Sequence, residues 1–215
     1  RLREDIPALL KLAGPLLVGQ LAFITFGVLD TAMTARYSSE DLAAIAMASA
    51  IFSSIYVGLT GVISALTPIT GQLFGAKRFD EIGEEVRQAA WLALGLSIVG
   101  STILMNADHL LAISRVSSDI EDKARLYLNI LAIGLPASMG MRVLMALHNA
   151  VSRPAVITIV QLIGLGLKLP LNLLFIYGGL GIEGMGGPGC AVATAIISWF
   201  WLISTLSFVL LDRFY

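Results

Sequence analysis

AVITIVQLIGLGLKLPLNLLFIYG, Ala155 to Gly178, is a run long enough to cross a bilayer, and its one charged residue is Lys168. A membrane-spanning helix needs about 20 mostly apolar residues, because in hydrocarbon every backbone N–H and C=O has to be satisfied within the segment. The run meets that length, and thirteen of its residues precede the lysine while ten follow it. Snorkelling to either surface strains a side chain placed so centrally. Two questions follow: how many such runs the chain contains, and what receives an ammonium in the middle of one.

Five further runs qualify, so the expected spans are residues 12–35, 42–73, 89–106, 124–150, 155–178 and 189–211. Composition agrees. The chain is 57% hydrophobic and 13% charged, where soluble domains hold about 45–50% apolar and about 25% charged residues. The expected fold is all-α, a polytopic membrane protein with six transmembrane helices over residues 1–215. The second and fourth runs are long, which predicts tilting, protrusion or bending, and each carries a proline, Pro68 and Pro136. The joints are polar: RYSSED, GAKRFDEIGEEVRQ, SRVSSDIEDK, SRP and the glycine-rich GGLGIEGMGGPG. Within them SSDIEDK reads as a short external helix capped by Ser118. The sequence opens on Arg1 without an initiator methionine and reads as an excerpt of a longer protein or as a processed chain.

Lysine and arginine asymmetry sets orientation. With the N-terminus cytoplasmic, the inner segments hold Arg1, Arg3, Lys11, Lys77, Arg78, Arg87, Arg153 and Arg213, and the outer ones hold Arg36, Arg115, Lys123 and Arg125. Both ends are therefore expected inside. The balance of 14 basic against 15 acidic residues offers no basic surface for nucleic acid. A single cysteine, Cys190, forms no internal disulfide, and His109 and His148 are too isolated to suggest a metal site. No GxSxG, HExxH, P-loop or CxxC pattern is present, so no catalytic residues are expected.

Ionisable groups inside a span are the informative ones, since each costs roughly 2.5–3.5 kcal/mol on insertion scales unless it is paired or faces water. Three stand out: Asp30, Arg142 and Lys168. Gln161, Gly164, Lys168 and Asn172 recur at helical spacing, which predicts a polar, water-accessible stripe on one face. Asp30, near the end of the first span, reads either as a cap at the headgroups or as the partner of Lys168. A buried pair is weak as a device for stability and makes better sense as a switch, because protonating Asp30 leaves Lys168 unpaired. A purely structural pair is the competing reading. Arg142, on one face with Asn149, is either an anchor at the cytoplasmic interface or part of a cleft. Met139, Met141 and Met145 suit core packing or a promiscuous pocket. Gln20 and Asn129 suit interhelical hydrogen bonds. Gln20, Gln161, Met139 and Arg142 are the candidates for lining a cleft.

Four stretches carry a family resemblance: DTAMTARYSSEDLAAIAMA from Asp30, TGQLFGAKR from Thr70, SRPAVITIVQLIG from Ser152 and LPLNLLFIYGGLGIEGMGGPGCAVATAIISWF from Leu169. In order and position they resemble the multidrug and toxic compound extrusion (MATE) family, and within it the bacterial branch coupled to sodium or protons. The resemblance implies the N-terminal six-helix lobe of a two-lobed, twelve-helix transporter, its partner the C-terminal lobe. It also implies export of organic cations and drugs across the bacterial inner membrane, with no cofactor beyond the transported proton or sodium ion. Asp30 matches the family's first-helix carboxylate, Asn172 a fifth-helix asparagine and Thr194 a sixth-helix hydroxyl of the same pocket. Lys168 departs from the pattern, since relatives often carry asparagine there. An ammonium at that place argues against sodium in this lobe and suggests a tethered cation beside Asp30. A flippase for lipid-linked sugars would need more basic residues in its cleft. A non-transporting scaffold or channel module is the alternative from another class.

Overall fold

The computed structural model describes residues 2–112, 116–151, 154–179 and 181–211. Arg1, Arg115, Arg153 and Arg213 lie outside the described residues, as do the side chains of Arg3, Lys11 and His109. The helices are α1 (Leu2–Tyr37), α2 (Ser39–Ser64), α3 (Leu66–Gly75), α4 (Phe79–Met105), α5 (Asp108–Ala112), α6 (Ser118–Ala150), α7 (Pro154–Asn172) and α8 (Gly189–Leu211), with a π-helical turn at Leu173–Tyr177 closing α7. They supply six segments long and apolar enough to span a membrane, α2 and α3 counting as one.

Two joints differ from the sequence expectation. The charged run after Arg78 is helical and forms the first turns of α4, with Asp80 and Glu81 at the end where the helix dipole favours carboxylates. SSDIEDK likewise belongs to α6 itself, and its cap position is Ser117, without a side-chain capping bond. The prolines act differently. The second span breaks at Ala65, because the Pro68 ring has no N–H for the Ser64 carbonyl and collides with it. Pro136 leaves α6 unbroken.

Helix α6 is the axis of the helix bundle, packed by α2, α3, α4, α7 and α8. In an apolar 18-residue stretch of it 61% of the residues are buried inside the molecule, against 17–33% in the matching stretches of the other five. Such a helix is apolar all round rather than on one stripe. Its approach to α8 is close at Gly134, where a Cβ would stand 3.1 Å from the Ala195 Cα. The outer helices turn apolar side chains outward to lipid: on α1, Leu17, Leu21, Ile24 and Val28 follow one another at helical spacing and are 58–64% exposed.

Between α7 and α8 the glycine-rich segment folds back onto the ends of α1 and α2. Gly178, Gly181 and Gly186 take φ of 85°, 85° and 65°, a region open to glycine and closed to most other residues. Asp41, 1% exposed, accepts from the Gly187 N–H at 2.6 Å and pairs with Lys123 of α6. Tyr177 donates to the Met33 carbonyl at 3.0 Å.

Candidate functional site

Lys168 and Asn172 stand one turn apart on α7 and project to the same side, toward Asp30 of α1 and Thr194 of α8. Lys168 Nζ lies 2.9 Å from Asp30 Oδ1, and it donates to Thr194 Oγ1 at 2.5 Å and to the Cys190 carbonyl at 3.2 Å. An ammonium has three N–H donors and no acceptor, so these three oxygens use its whole capacity. The Phe26 ring covers it, with the centroid 4.1 Å from Nζ, in a cation–π contact. Asn172 Nδ2 donates to Asp30 Oδ1 at 2.8 Å. Thr194 Oγ1 is 2.8 Å from the Cys190 carbonyl and 3.5 Å from Asp30 Oδ2. Having one proton, the hydroxyl donates to the nearer carbonyl while accepting from Lys168.

The centre is closed. Lys168 and Asn172 are fully buried and Asp30 is 9% exposed. Asn172 Oδ1 has no hydrogen-bond partner among the described residues. Lys168, Asn172 and Thr194, the three residues expected around the first-helix carboxylate, thus meet Asp30 in one cluster, and Asp30 is paired rather than capping a helix at the surface. The expected water-accessible stripe is corrected: its Gln161 end faces a cavity, while Lys168 and Asn172 are sealed among the helices.

That cavity, about 370 Å³, lies between α1, α2, α6, α7 and α8. Gln20, Gln161 and Arg142 line it, and Thr194 is where its wall meets the Asp30 cluster. Met139 does not. It is fully buried in the core with Leu135 and Val143, and Met141 and Met145, on the other side of α6, line the cavity instead. Arg142, read as an anchor or as part of a cleft, lines the cavity. Its Nε donates to the Tyr56 hydroxyl at 3.0 Å, and its guanidinium carbon stands 5.4 Å from the Tyr56 ring centroid and 6.0 Å from that of Phe23.

Sequence reasoning missed the aromatic walls, Phe23, Phe26, Phe52, Tyr56 and Trp201, and the hydroxyls of Ser53, Ser138 and Ser198. The spacing of Phe52 and Tyr56, which stack at 5.5 Å, was the one available signal. Inside an apolar run it reads equally as a lipid-facing pair.

A family model described as MatE matches residues 15–174. Among curated proteins, a probable multidrug resistance protein NorM of Neisseria meningitidis serogroup B is 33% identical over 213 residues, covering 99% of this chain and 46% of the relative. One of the same name from Aromatoleum aromaticum is 38% identical over 187 residues, covering 87% and 40%. Multidrug resistance protein PmpM of Pseudomonas aeruginosa is 34% identical over 210 residues, covering 97% and 44%. Among solved structures, the MATE transporter NorM-NG, in a complex that includes a monobody, aligns with a TM-score of 0.74 at 32% identity, over 91% of this chain and 43% of that one. The eukaryotic MATE transporter AtDTX14 aligns at 0.88 with 16% identity, over 98% and 46%, a likeness of fold alone. The chain spans about half the length of the curated relatives it matches.

Proposed function

Since the chain belongs to the MatE family, we propose that it forms the N-terminal six-helix lobe of a secondary multidrug exporter. In this reading the lobe faces a second one across a cleft, in a bacterial inner membrane, with both its ends cytoplasmic. Drug-sized compounds leave in exchange for protons or sodium, and the aromatic cavity is this lobe's share of the route. The protein is a transporter and carries out no covalent step.

The observation that carries the reading is the saturation of Lys168 by Asp30, Thr194 and the Cys190 carbonyl. The ammonium takes the oxygen ligands that a monovalent cation would otherwise collect, so Asp30 handles protons in this lobe. When Asp30 takes a proton, the attraction that offsets burial of the lysine is lost. The four residues then separate, and α1, α7 and α8, which hold them, change their packing. With asparagine at position 168, Asp30, Thr194 and the unused Asn172 Oδ1 become a set of oxygens suited to sodium.

The test is efflux of a fluorescent organic cation from proteoliposomes containing the full-length protein, driven by a proton or a sodium gradient. Asp30→Asn is expected to abolish flux, and Lys168→Asn to create or strengthen sodium dependence. Normal transport by both variants under either gradient would make the pair structural, and absence of flux in the wild type would favour a scaffold.

A further inference from the structure

The last turn of α7, Leu173–Tyr177, is π-helical. Such a turn, with hydrogen bonds between residues i and i+5, is rare and occurs mostly singly, often at functional sites. Both of its edges are tied to α1. Asn172 donates to Asp30 at 2.8 Å and Tyr177 to the Met33 carbonyl at 3.0 Å, while the Tyr177 ring meets the Tyr37 ring edge-on at 5.7 Å. Asp30 and Met33, three residues apart, share one face of α1. In a regular α-helix residues five apart point about 140° from each other, so Asn172 and Tyr177 could not both meet that face. The wider turn brings residue i+5 back over residue i, which permits the two bonds together. On its other side the turn holds the glycine-rich loop. The carbonyls of Phe175 and Ile176 accept from the N–H groups of Met185 and Gly186 at 2.8 and 3.1 Å, and the next residue, Gly187, is bonded to Asp41 of α2. The turn therefore stands between the Asp30 cluster and the loop that enters α8.

We infer that this π turn is the joint through which the charge of Asp30 moves the loop end of α7. The inference rests on the exporter reading and deepens it by naming a moving part. While Asp30 is charged, its bonds to Lys168 and Asn172 fix the inner edge of the turn and Tyr177 fixes the outer edge, so the extra residue stays where it is. Once Asp30 is neutral the inner edge is released. The turn then closes to the α form, Tyr177 leaves Met33, and the loop rotates relative to α1. Tyr177 is a positioning residue, acting through the α1 backbone. The titratable groups facing Asp30 are Lys168 of α7, Tyr127 of α6 and Cys190 of α8, and of these Lys168 is the one bonded to it.

The experiment takes one residue out of the turn in the full-length protein. Leu173 is 50% exposed, and deleting it leaves Asn172 and Tyr177 four residues apart, so an ordinary α turn keeps both bonds to α1. The deletion variant is expected to melt no lower than the wild type and to bind the fluorescent organic cation ethidium as tightly. Its ethidium efflux from proteoliposomes is expected to fall about tenfold or more, because a conformational step is blocked. Hydrogen exchange of the backbone amides between residues 173 and 178 reads the joint directly. Exchange there is expected to be faster in Asp30→Asn and in Tyr177→Phe than in the wild type, and insensitive to Asp30→Asn once Leu173 is deleted. Efflux at the wild-type rate by the deletion variant, or exchange over the turn that Asp30→Asn leaves unchanged, overturns the inference and leaves the exporter reading standing. If the deletion variant does not fold, the exchange comparison decides. Absence of efflux by the wild type overturns the exporter reading, and the exchange comparison still decides whether the turn answers to Asp30.

Discussion

Lys168 and Asp30 divide the information about one site between sequence and structure. A lysine flanked on both sides by apolar residues announces itself, because hydrocarbon leaves it no cheap position. That Asp30 receives it follows in the sequence only from the scarcity of acids in the spans, and the 2.9 Å separation bears out the pairing. The geometry also sets a stability expectation. Removing one partner leaves a buried charge uncompensated, so Lys168→Met alone is expected to cost about 3–5 kcal/mol, while Asp30→Leu with Lys168→Met comes close to neutral. Unfolding of the full-length protein in detergent checks this, and a double variant as unstable as the single one would contradict it. Met139 and Arg142 mark the limit of residue-level reading. Both lie on α6, whose whole circumference is apolar enough to bury, and only its neighbours decide which side meets the core and which the cavity.

At the scale of the helix, Pro68 and Pro136 show one chemical defect with two outcomes. Near the end of a span the chain stops α2 at Ser64 and starts α3, so that Pro68 falls in a first turn, where an N–H lacks an intrahelical partner in any case. Deep in α6 that solution would leave several groups unbonded in lipid. There Ser101 of α4 donates to the Ala132 carbonyl at 2.7 Å, the group Pro136 cannot serve. Ser101→Ala is expected to cost about 0.6 kcal/mol, the mean for hydrogen bonds between membrane helices. In a Pro136→Ala background the cost should vanish, because the new N–H serves the carbonyl. A double-mutant cycle on unfolding free energies measures the difference, and additive effects would rule the compensation out. The two prolines are visible in the sequence. Which of them breaks its helix depends on a serine 31 residues away from the carbonyl it serves.

The molecule as a whole is fastened where α2, α6 and the loop before α8 meet, at Asp41. Its carboxylate joins the Gly187 backbone to Lys123, so Asp41→Ala strands the buried Gly187 N–H, while the ammonium of Lys123, 36% exposed, turns to water. The expected cost is about 1–3 kcal/mol, that of one buried donor left unsatisfied, since the exposed partner of the ion pair adds little; it is read as a lower melting temperature and faster proteolysis between residues 178 and 188. Unchanged cleavage there would show that the loop is held by its other bonds. Sequence legibility follows the range of the forces involved. Six spans, their approximate limits and the intramembrane charges are legible residue by residue, because crossing a bilayer is a demand each segment meets with its own residues, and the family follows from the order of the motifs. Packing between the helices settles the rest: α6 is the axis, Asp41 joins three elements, Met139 is core and Arg142 cavity wall, and Lys168 is sealed rather than wet. In the membrane a core-facing and a lipid-facing leucine look alike, since lipid tails are as apolar as leucine. The inward side of each helix is therefore chosen by the shape and hydrogen bonding of the helices beside it.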